Sequence, residues 1–203
     1  MKPPKGLTPE QEKEWKQHHV SLSTLFRIYG GFMGFIESGY FWFALISAIA
    51  LMSFNQLVFG FESYELIVSI KELLLSTFPS ILGFNIGAYA LVIGFGDKSV
   101  LDKIRAAKGT NNFSLFQTIG GTFAMSVLIQ ATTFGIAFIL HIFIRSFGSV
   151  NLFDLSQHGI NMANNFTAFI LLFFSIYSVA LIPKIVLNVF SFSQLFHYFS
   201  KNS

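Results

Sequence analysis

Four apolar stretches separated by short charged ones set the plan of this chain. Tyr40 to Phe61, Leu73 to Gly96, Phe113 to Ile144, and a run from Asn165 to at least Pro183 each approach or exceed the length needed to cross the membrane. A hydrocarbon core of roughly 30 Å takes about twenty residues at about 1.5 Å each. The third stretch is longer than one crossing requires, so it is expected to tilt or to project into solvent. The pattern predicts an all-α polytopic membrane protein with four transmembrane helices and short interfacial and cytoplasmic helices. Residues 1–39 form a cytoplasmic N-terminal helix and interfacial segment, and 40–199 form the four-span domain, with spans at 40–61, 73–96, 113–144 and 165–183.

The connections carry their own signals. Thr8, Pro9 and Gln11 have the spacing of a capping box, so a polar helix is expected to start there. Ser21 to Ser38 is apolar but broken by Arg27, Gly30, Gly31 and Gly34, which reads as an interfacial segment leading into the membrane or as part of the first span. Glu62 to Glu72 reads as a short amphipathic connection. In the cytoplasmic loop 97–112, Ser99 and Asp102 have capping spacing and Gly109 supplies a stop, so a short helix over Val100–Lys108 is expected. The stretch 185–199 beyond Pro183 reads as a kinked extension or an interfacial helix.

Two spans carry patterned faces. On the second, Ser76, Ser80, Gly83, Gly87, Ala90 and Gly94 form one stripe of small residues, suited to close helix packing, and through it and the small strip of the third span a homo-oligomer is expected to assemble. Asn85 and Tyr89 lie almost opposite, so both faces are expected to be buried, one by tight packing and the other by a polar partner or cavity. On the third, Thr122, Ser126, Gln130, Thr133 and His141 fall in one arc, beside a small strip of Gly120, Ala124, Ala131 and Gly135. Serine and threonine hydroxyls can bond to their own helix, so the arc reads either as interhelical glue or as the lining of a narrow path formed by several copies.

Composition narrows the class further. The 203 residues are 53% hydrophobic and only 11% charged, with 27 Phe, and soluble chains rarely look like this. There is no Cys, which removes thiolate catalysis and sulfur-ligated metals. His18 and His19 have no further ligand at suitable spacing, and no cofactor motif, nucleotide loop or paired carboxylate is present, so no metal, no cofactor and no enzymatic activity are expected. Net charge +3 does not point to nucleic acid, because the charges sit between the apolar runs. Of the 13 Lys and Arg, all but Lys71 and Arg145 fall at the termini, before the first span, in the middle loop or after the last span. The positive-inside rule then puts both termini and the middle loop in the cytoplasm. Within that loop Lys98, Lys103, Arg105 and Lys108 form a docking patch for lipid headgroups or a cytosolic partner.

The run PSILGFNIGAYALVIGFGDKSVLDKI, residues 79–104, resembles the small four-span proteins encoded in bacterial anti-phage loci, such as the membrane subunit of the Kiwa system. It also resembles the pore-forming accessory membrane proteins of some RNA-guided defence systems. Either resemblance implies an inner-membrane homo-oligomer that senses envelope disturbance or alters permeability, beside a soluble partner. The expected function is therefore an oligomeric membrane effector, a regulated pore or a sensor and anchor for a cytosolic protein. A small secondary transporter or transporter accessory subunit is the alternative.

Overall fold

The computed structural model describes Gly6, Thr8, Pro9 and residues 21–55, 57, 62–94, 98–109, 113–147 and 156–201. The helix expected from Thr8 lies largely outside the described residues. Among the described residues seven helices follow in chain order: α1 (Leu22–Tyr29), α2 (Gly31–Ile36), α3 (Gly39–Phe54), α4 (Ser63–Gly94), α5 (Lys98–Ala106), α6 (Leu115–Phe147) and α7 (Gln157–Lys201). Among the described residues, secondary structure is helical apart from an isolated bridge between Lys108 and Ser114.

Among the described residues three helices, not four, are long and apolar enough to cross a membrane: α4, α6 and α7. The chain is an integral membrane protein on that ground. The expected first span is realised as α3, whose 16 residues rise only about 24 Å. It is preceded by the two short helices α1 and α2, and the glycines explain the break. Ser21 caps α1, its Oγ accepting from the Thr24 amide, and Gly30 ends it in the left-handed conformation at φ 105°. Any side chain there would be strained. Trp42 Nε1 then donates to the carbonyl of Ile36 at 2.7 Å, satisfying a group freed between α2 and α3.

The second span begins ten residues earlier than expected. Ile67, Ile70, Leu74 and Phe78 continue one buried face across the expected boundary at Leu73, so the supposed connection is the first turns of α4. Lys71 is carried into the core by that face, 4% exposed, its Nζ 4.0 Å from exposed Glu72. The last span also runs on without interruption, from Gln157 through Pro183 to Lys201. Pro183 lacks the amide that would bond the Val179 carbonyl, yet buried Leu181, Ile185 and Phe192 keep the helix packed on both sides of it.

The helices form one bundle. α4 and α7 run side by side, tied at one end by the Ser63 hydroxyl donating to Asn165 Oδ1, and α6 packs against both. At this end Met52, Ile67, Leu74, Phe78, Ala137, Ala168 and Leu171 make one core cluster. A second cluster joins α1 and α3 to α6 and α7 through Tyr29, Ala44, Met125, Ile129, Tyr177 and Leu181. At the far end Val100, Leu101 and Ile104 of α5 close over Phe192 on α7. Large apolar side chains face outward on every long helix, among them Phe84, Ile86 and Leu91 on α4, Phe138 and Ile139 on α6, and Leu187 and Phe190 on α7. Such a surface requires lipid rather than water.

Candidate functional site: a polar seam across the bundle

The most concentrated polar chemistry inside the bundle is where α4, α6 and α7 meet. Asn85, Ser126, Gln130, Thr133 and Ser178 are all fully buried. Asn85 Nδ2 donates to Gln130 Oε1 at 2.6 Å, and Gln130 Nε2 donates to the main-chain carbonyl of Ser178 at 3.1 Å. One glutamine thus bonds both neighbouring helices. Thr133 Oγ1 donates to the carbonyl of Ile129 at 2.9 Å and lies 2.7 Å from Ser178 Oγ. A hydroxyl has one hydrogen, so the Ser178 hydroxyl is the donor of that second contact. Ser126 bonds back to Thr122's carbonyl at 2.9 Å, and Thr122 to that of Thr118 at the same distance.

The sequence arc is therefore part of the interior of a single chain. Ser126, Gln130 and Thr133 belong to the seam, half-buried Thr122 continues it on its own helix, and His141 stands apart. His141 lies two turns beyond Thr133; its Nδ1 is buried without a partner and joins none of these bonds. Asn85 Oδ1 is likewise buried with no donor on it. Tyr89 leaves the hydrogen-bonded set and stacks on Phe123, ring centroids 5.0 Å apart, over Gly120. Tyr89, Phe123 and Gly120 line a cavity of about 10 Å³ with Asn188 and Phe192, close to the smallest that holds one water.

The small residues part company. Gly120 gives Tyr89 its seat, whereas a methyl group at Gly135 would meet nothing, Ala131 is exposed and Ala124 half-buried. The α4 stripe of Ser76, Ser80, Gly83, Gly87, Ala90 and Gly94 is exposed throughout, and nothing lies within 4 Å of a methyl group added at Gly83, Gly87 or Gly94. The expectation that α4 is buried on both faces is thus corrected for the single chain: Asn85 faces in and the stripe faces out. The close helix contact is instead made at Gly121, where Ile28 of α1 rests against the bare backbone.

The described part of the basic loop, α5, caps one end of the bundle. Its apolar face is buried, Arg105 pairs with Asp102 at 3.2 Å and stacks over Phe116, and Lys108 is exposed. The side chain of Lys98 lies outside the described residues. Sequence reasoning missed Ser178, Tyr177, Tyr29 and Lys184. Tyr177 and Lys184, seven residues apart, share one helix face, and that spacing was a readable signal.

Comparison with known proteins adds no relative. The chain matches no family model, no curated protein and no solved structure. Chemically, the seam is made of neutral amides and hydroxyls. Among the described residues there is no group of three His, Cys, Asp or Glu that could hold a metal ion. The seam can orient and lock helices, but it offers no nucleophile paired with a base.

Proposed function

We propose that this protein is a membrane-embedded anchor and sensor that holds a cytosolic partner at the bilayer, rather than a conducting pore. The observation that carries this reading is that the hydrogen bonds of Gln130, Thr133 and Ser178 close within one protomer. A pore lined by several copies would need that strip to face outward. The basic cap α5 supports the docking half of the reading, since burial of Val100, Leu101 and Ile104 fixes it on the bundle end with Arg105 and Lys108 outside.

In this reading α1, α2 and α3 together make a fourth, broken crossing. Both termini and α5 lie in the cytoplasm, following the positive charges, and protomers associate through the open α4 stripe. The resemblance of residues 79–104 to four-span proteins of anti-phage loci supports a bacterial inner-membrane setting and a defence role. One observation favours the transporter alternative: the first crossing is interrupted at Gly30 and Gly31, as helices are around many transport sites.

The test is reconstitution. Liposomes holding the protein should retain a trapped dye, and Gln130→Leu should leave that unchanged. Reversing Lys103, Arg105 and Lys108 to Glu should release the protein encoded by the neighbouring gene from the membrane fraction. Dye release that Gln130→Leu alters would establish the pore reading instead.

A further inference from the structure

Lys184 lies inside α7, half-buried, directly after Pro183. Its Nζ donates to Tyr29 Oη at 3.4 Å and sits 4.7 Å from the centre of the Tyr29 ring. Tyr29 Oη is in turn 3.4 Å from Tyr177 Oη, and both tyrosines are buried. Among the described residues no carboxylate pairs with Lys184, whose partner is Tyr29. An ammonium has three donors, and here one is used, on a long bond to a neutral oxygen. Two phenols share one contact, which leaves one of their two hydrogens to donate elsewhere. The cluster is thus a cation with spare donors, set among aromatic rings, where an uncompensated charge is costly.

We propose that Lys184, with the hydroxyls of Tyr29 and Tyr177, holds the phosphate of an anionic membrane phospholipid. A lipid is the source because of where the cluster lies. The apolar run of α7 that ends at Pro183, with Val179 exposed on it, meets its first charge at Lys184. With that run in hydrocarbon, Lys184 reaches headgroup phosphates, and the acyl chains lie along the helix. The bound lipid would also join α1 to α7, since Tyr29 belongs to the first and Lys184 to the second. This proposal is independent of whether α5 docks a protein.

Native mass spectrometry of the full chain in neutral detergent, with phosphatidylglycerol or phosphatidylcholine added, tests it. Wild type should bind phosphatidylglycerol in preference, and Lys184→Met should weaken that binding by about fivefold, the worth of one cation near a phosphate layer. Lys184→Arg should retain it. A second measurement needs no variant: phosphatidylglycerol should slow acetylation of the Lys184 amine relative to that of Lys201, and phosphatidylcholine should not. Equal phosphatidylglycerol affinity of wild type and Lys184→Met, or equal acetylation rates in both lipids, overturns the proposal. So does inorganic phosphate protecting Lys184 as well as the lipid does, which would make the ligand a soluble anion.

Discussion

At Asn85 and Gln130 the cost of a lost hydrogen bond and the cost of an orphaned group separate cleanly. Interhelical amide bonds in membranes contribute about 0.6 kcal/mol on average, because unfolded segments in lipid also find partners. An amide left buried with no partner costs more, about 1–3 kcal/mol. Asn85 Oδ1 already lacks a donor, so Gln130→Leu strips Asn85 of its bond through Nδ2 as well, and the cost of the orphaned amide dominates. Each single leucine variant should lose about 1–3 kcal/mol in a denaturant titration in detergent, and Asn85→Leu with Gln130→Leu should lose less than the sum. At Gly30 the backbone sets the cost, since φ 105° is open to glycine alone. Gly30→Ala should cost about 1–2 kcal/mol in the same titration.

Among the elements, α4 shows most directly what one face does that the other does not. Its inner face holds Asn85 through the seam, while its outer face has open space at Gly87. A Cβ at Gly87 meets no neighbouring side chain or helix, so Gly87→Leu should leave the unfolding free energy within about 0.5 kcal/mol of wild type. A fall in particle mass on size exclusion with light scattering would then report a lost contact between copies. Unchanged mass would mean that lipid covers the stripe. α1 behaves oppositely: a branched side chain at Gly121 collides with Ile28, so Gly121→Ile should free α1 and expose the Ser21–Gly30 segment to limited proteolysis. Pattern alone revealed α4 and α6 as apolar helices with a polar face each, because a 3.6-residue period is local. It misplaced the start of α4, because charged Glu65 and Glu72 interrupt the apolar run from outside its buried face, and Lys71 is carried into that face with its charge.

For the whole molecule, the number of bilayer crossings is directly measurable, because the chain has no Cys to compete with an introduced one. Single cysteines at Ser23, Arg105 and Ser146 should label with an impermeant maleimide from the cytoplasmic side for the first two and from the opposite side for the third. Labelling of Ser23→Cys from the opposite side would mean that α1 to α3 do not cross. Length, apolar runs and the lopsided placement of Lys and Arg determined by themselves that this is a helical membrane protein, because solvent preference is a property of segments. Whether a face meets its own chain or open space is a property of neighbours. Only the tertiary structure could turn the polar arc of α6 inward onto Ser178, turn the glycine stripe of α4 outward, and set Lys184 beside two tyrosines from distant parts of the chain.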